Sequence, residues 1–143
     1  MKIIIDTNVA IDFMSARGPF SDDTEKVFLL CSSEIVNAFV TANSFCDLHY
    51  IIHRYFHDEE KTRSAMSFWL DIVSIAQTTE EDCRNALESG IADYEDAVIA
   101  SVAERMGCEF IVTRNVGDFS NSVVPAISPR DFIGVALKRH EKK

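Results

Sequence analysis

The chain predicts an α/β fold, a three-layer α/β/α sandwich around a mainly parallel central sheet. Three observations carry that expectation. Short β-branched runs alternate with longer segments whose apolar residues recur every three or four positions. No repeat, low-complexity tract or Pro/Gly-rich linker divides the 143 residues, so 1–143 read as one domain. An aspartate, Asp6, closes the first apolar run, and parallel sheets hold ligands beyond the carboxyl ends of their strands.

Lys2 to Ile5 is the first strand. Asp6 or Thr7 caps the helix that follows, through about Met14. Gly18-Pro19 breaks the chain, and a second helix runs from about Asp22 to Ser32 with Val27, Leu30 and Cys31 inward. Ile35 to Thr41 is a strand. Ser44 to Phe56 is a helix with Phe45, Leu48, Ile52 and Tyr55 on its apolar face. A helix over Lys61 to Leu70 and a strand over Ile72 to Ala76 come next. Thr79-x-x-Asp82 is a capping box that opens a helix to about Glu88. Asp93 opens another, to Met106, ended by Gly107 in the left-handed conformation. Glu109 to Thr113 and Ala126 to Ile127 are strands. Ser128 caps a closing helix from Pro129 to Lys138.

The four cysteines form no Cys-x-x-Cys pair and sit in apolar stretches, which reads as buried, reduced thiols and a cytoplasmic setting. No signal peptide or membrane span is expected. A formal net charge of −9 counts against a broad phosphate-binding surface, although Lys138, Arg139, Lys142 and Lys143 crowd the C-terminus.

Four carboxylates fall where one sheet edge gathers them: Asp6, Asp47, Asp96 and Asp118. Each has an ordinary explanation. Asp6 suits a helix cap, Asp47 a half-exposed helix acid and Asp118 a loop acid. Asp93 and Asp96 suit a cap and its N3 partner. Together they are costly, since unit charges about 4 Å apart repel by about 4 kcal/mol at an effective dielectric of about 20. Cations would relieve that cost. An all-oxygen donor set selects a hard ion, Mg2+ or Mn2+. Such an ion lowers the pKa of bound water and stabilises a leaving oxygen.

The acids sit in a series of longer motifs: Ile3-Ile4-Ile5-Asp6-Thr7-Asn8, Val40-Thr41-Ala42-Asn43-Ser44-Phe45-Cys46-Asp47-Leu48 and Asp93-Tyr94-Glu95-Asp96-Ala97. The series continues through Cys108-Glu109-Phe110-Ile111-Val112-Thr113-Arg114-Asn115, Gly117-Asp118-Phe119 and Ile127-Ser128-Pro129. In these motifs the chain resembles the PIN-domain family, and its VapC-type toxins in particular. The resemblance implies a metal-dependent ribonuclease cutting RNA phosphodiester bonds. It also implies an antitoxin partner and a homodimer. The alternative is a PIN fold kept as a binding module with weak or no cleavage. By the resemblance Asp6, Asp47, Asp96 and Asp118 are catalytic and metal ligands. Asp47 stands where the family usually has Glu. The fourth place falls to Asp118 or Asn115. Asn8, Asp93, Thr113 and Asn115 are supporting groups, and Arg114 is a phosphate contact or a solvated loop arginine.

Other signals lead elsewhere or nowhere. His49, His53 and His57, four apart, read as a polar helix face, since no acid completes a metal site. Trp69 and the ten phenylalanines read as core or dimer contacts. A haloacid-dehalogenase-like phosphatase would want an aspartate where Asn8 stands, and Walker and dinucleotide glycine motifs are absent.

Overall fold

The computed structural model describes residues 1–15 and 21–143. The expected break at Gly18-Pro19 lies outside them. The elements are β1 (Lys2–Ile5), α1 (Thr7–Ser15), α2 (Ser21–Ser32), β2 (Asn37–Thr41), α3 (Ala42–Phe56), α4 (Glu59–Ile72) and β3 (Ser74–Ala76). Then come α5 (Glu80–Glu88), α6 (Tyr94–Arg105), β4 (Phe110–Val112), a 3-10 turn (Val116–Phe119), β5 (Ala126–Ile127) and α7 (Pro129–Glu141).

All strand pairs are parallel, in the order β3-β2-β1-β4-β5. The chain winds outward from β1 through β2 to β3, then crosses back to β4 and β5. β1 and β4 therefore flank the point where the winding reverses, and a crevice forms there at the carboxyl ends.

The pleat splits the apolar residues between two cores. Ile3 and Ile5 face one side, with Val9, Phe28, Leu48, Trp69 and Phe132 from α1, α2, α3, α4 and α7. Ile4 faces the other, with the alanines and valines of α6, Ala86 of α5 and Phe119. These are the three layers the alternation predicts. Small residues on α6, Ala97, Ala100 and Ala103, let it lie close on the sheet.

Most element boundaries shift by a few residues, each for a local reason. β2 begins at Asn37 rather than Ile35, because pairing starts only opposite Lys2, and Glu34 turns the chain at φ 63°. β3 begins at Ser74, because β2 offers it a ladder only from Phe39 onward. α3 begins at Ala42, because Thr41 caps it by accepting the Ser44 N–H at 3.2 Å. α4 begins at Glu59, capped by Asp58. The caps at Thr79, Asp93 and Ser128 stand where expected, and Gly107 has φ 67°.

Two expectations fail. Tyr55 is 62% exposed, because the buried seam of α3 runs Ser44, Leu48, Ile52 and then Phe56. Cys31 and Cys108 are buried, but Cys46 is exposed on the outer face of α3 and Cys83 is half-buried. All four thiols are free, and burial pushes that of Cys31 up to about 12. Among the described residues no helix is long and apolar enough to cross a membrane.

Candidate active site

The first acid comes from the end of β1. Asp6 is 7% exposed, and its backbone N–H continues the ladder to the Val112 carbonyl of β4 at 3.0 Å. Its carboxylate sits at the head of α1 and accepts the Thr7 N–H. That bond reaches only the first N–H of the helix, and the carboxylate has a second partner. Oδ2 accepts a hydrogen bond from the Thr113 hydroxyl, 2.8 Å away at the end of β4. Thr113 in turn accepts the Asn115 N–H at 3.0 Å. The switch point is thus closed by a side-chain link between its two strands, and the link orients the carboxylate.

α6 supplies the next group. Asp93 is its N-cap and accepts the Asp96 N–H at 3.0 Å. Asp96 lies half-buried in the first turn, with Glu95 exposed beside it. Asp118 is exposed in the 3-10 turn after β4, whose first link is the Asp118 N–H to the Asn115 carbonyl at 3.0 Å. Asp47 is exposed in the second turn of α3 and shares a hydrogen bond with Glu95.

Electrostatics ties these elements into one site. Burial raises the pKa of Asp6; the Thr113 and Thr7 hydrogen bonds pull it back, and the charges of Asp118 and Asp93 push it up again. Asp96 is pushed up to about 6, first by burial and then by Asp6, Asp93 and Asp118. Glu95 is pushed up to about 7, first by burial, then by Asp47, Asp6 and Asp93.

Asp82 makes the contrast. It is also buried, which alone would raise it. Hydrogen bonds from Arg105, Thr79 and Ser101 outweigh burial and hold it below the ordinary value. A buried carboxylate with a cation beside it goes down; those at the sheet edge go up because burial raises them and neighbouring acids add to it with no cation to offset either.

A hard divalent cation suits that donor set, which is all carboxylate and lies where negative charge is uncompensated. Among the described residues no trio of His, Cys, Asp or Glu stands ready-gathered as a metal cage. Magnesium asks for less, since it binds through one or two carboxylates and keeps waters.

Supporting residues divide by what they touch. Thr113 holds a carboxylate. Asn8 accepts the Arg114 N–H at 3.4 Å and so holds the loop. Arg114 is neither loose nor fully solvated: its Nε lies 3.1 Å from Oδ2 of Asp12 on α1. The expected polar face of α3 is present, with His49 and His53 stacked at 6.2 Å and His53 against the Thr62 hydroxyl. His57 has left the helix as its left-handed C-cap.

Sequence reasoning missed Glu95 and Asp12. Glu95 sits inside the quoted motif Asp93-Tyr94-Glu95-Asp96, but spacing alone did not show that it reaches toward α3. Asp12 lies four residues after Asn8, and that offset was the available signal.

A PIN-domain family model matches residues 2–117. The chain belongs to the PIN-domain family. The match takes in Asp6, Asp47, Asp93, Asp96 and Thr113 and stops one residue before Asp118. Solved structures share the PIN fold at low identity. VapBC2 from Rickettsia felis, bound to a DNA fragment from its promoter, has TM-score 0.70 at 16% identity, over 90% of this chain and 98% of that one. DNA-bound VapBC from Salmonella typhimurium gives 0.68 at 15%, over 90% and 98%. VapC20 from Mycobacterium tuberculosis, a sarcin-ricin loop cleaving toxin, gives 0.60 at 15%, over 76% and 86%. No curated protein sequence matches this PIN domain.

Proposed function

We propose that this PIN domain is a divalent-metal-dependent endoribonuclease and the toxin half of a VapBC-type pair. One observation carries the reading. Acids from β1, α6 and the turn after β4 lie within reach of one another's charge, and burial first, with that mutual repulsion added, raises Asp6 and pushes Asp96 up to about 6. Proteins seldom keep such a cluster at a sheet edge without a cation to neutralise it.

Asp6 and Asp96 would hold the principal Mg2+ or Mn2+ ion, with Asp118 completing its surroundings and Asn115 beside it. When bound, the ion supplies an activated water and neutralises charge on the scissile phosphate. The chain's own groups do the rest. Thr113 fixes the direction of the Asp6 carboxylate. Asp93 sets the first turn of α6 and with it Asp96. Asp47, backed by Glu95, stands across the crevice as a further ligand or as acceptor of the proton released on attack. Arg114, at the rim, is the contact for a substrate phosphate.

An antitoxin and a second copy belong to the same reading. Tyr50 and Tyr55 of α3 and Phe68 and Leu70 of α4 are exposed. A groove of about 330 Å³ between α1 and α3 is lined by Ile11, Met14, Leu48 and Ile52. Those surfaces suit protein partners.

The test is cleavage of labelled RNA with Mn2+, beside Asp6→Asn and Asp96→Asn. Each variant is expected to lose about a hundredfold or more in kcat. Cleavage that survives both substitutions contradicts the mechanism. A second reading, a PIN fold that binds without cutting, draws on Asp47 in the place of Glu. It predicts no cleavage by any form.

A further inference from the structure

Arg114 directly follows Thr113, the partner of Asp6, in the loop between β4 and the 3-10 turn. Two residues of α1 hold it. Asn8 accepts its backbone N–H at 3.4 Å, and Oδ2 of Asp12 lies 3.1 Å from its Nε. Positions four apart share a helix face, so α1 grips the loop by backbone and side chain at once.

The pair is unequal. Asp12 is 4% exposed, whereas the Arg114 side chain keeps 36% of its surface open at the rim of the carboxylate site. A buried carboxylate is costly to leave without a cation, and a guanidinium suits it best. The buried member is therefore an anchor and the half-open member the part it presents. By contrast Arg63 and Arg84 pair with the exposed acids Glu59 and Glu80 of their own helices.

We propose that Asp12 is a positioning residue: it fixes the Arg114 guanidinium at the edge of the carboxylate site as the contact for a phosphate of the RNA strand. This rests on the nuclease reading above. A long side chain that swings freely loses rotamer freedom when it clamps a phosphate. One already tethered through Nε loses less, so the contact is stronger for the same charge. Asn8 supports the device by fixing the backbone from which the guanidinium projects.

RNA affinity, measured in an Asp96→Asn background so that nothing is cut, separates positioning from mere stability. Asp12→Asn and Arg114→Met are each expected to weaken binding of a labelled RNA by about tenfold or more. In the active protein the same factor should appear in KM rather than kcat. The double variant should bind no worse than Arg114→Met if Asp12 acts on the RNA by way of Arg114. Asp12→Glu keeps the charge and should lose less. It decides the matter if Asp12→Asn does not fold. Asp12 variants that lower Tm but leave affinity and KM unchanged overturn the proposal, as do losses that simply multiply. If the wild type fails to cut RNA while Asp12→Asn still weakens binding, the nuclease reading falls and the positioning role stands. If the wild type cuts and the Asp12 variants bind normally, only the positioning role falls.

Discussion

Asp96 and Glu95 have ordinary values of 3.8 and 4.5 and are pushed up to about 6 and about 7 in the fold. A folded value above the unfolded one means that the fold favours the protonated acid. That stability is full below about pH 4 and is lost as pH rises through about 6 to 7. The metal-free protein should therefore melt lower at pH 7.5 than at pH 5. Asp96→Asn should flatten that slope, stabilise the metal-free fold at pH 7.5 by about 1 kcal/mol after solvent screening, and so raise its Tm there. Thermal melts in EDTA across that range check it, and a Tm that rises with pH contradicts it. Much of the candidate site was legible in the sequence. Asp6 and Asp118 follow strands, and Asp93 and Asp96 open a helix, so topology alone brings them together. Glu95 was not legible, because three acids and a tyrosine in one short stretch give no clue to which side chain crosses to Asp47. Cys46 was misread because an apolar neighbourhood in sequence does not say which face of α3 a residue takes.

Among the elements, α5 and α6 are clasped by Asp82. It closes the capping box on Thr79 and also accepts from Ser101 at 2.9 Å and pairs with Arg105 at 2.9 Å. The pattern Thr79-x-x-Asp82 predicted the cap. The bond to α6 was invisible, because Arg105 lies 23 positions away. Asp82→Ala strands Arg105 and opens the cap together, so urea unfolding should show a loss of about 3 kcal/mol. Activity per folded molecule should survive, since Asp82 does not number among the acids that shift Asp6, Glu95 or Asp96. Loss of cleavage without loss of stability would place Asp82 in the chemistry instead. The helices were read well because capping residues are local signals. Strand ends were read less well, since a strand stops where its neighbour stops. The 3-10 turn Val116–Phe119 was read only as loop, as short turns of this kind carry little periodicity.

At the scale of the whole molecule, a doubly wound parallel sheet places its reversal between β1 and β4. Alternation of strands and helices gave the layers, but strand order is set by non-local packing that periodicity does not encode. The reversal brings acids scattered in the sequence toward one sheet edge, in a chain of formal charge −9. The central claim is that these carboxylates form a single divalent-cation site. A manganese titration followed by Tm at pH 7.5 tests it most directly. The wild type should rise saturably to a higher Tm, and Asp6→Asn and Asp96→Asn should each abolish that rise. A wild-type Tm that ignores manganese, or a rise that both variants retain in full, contradicts it.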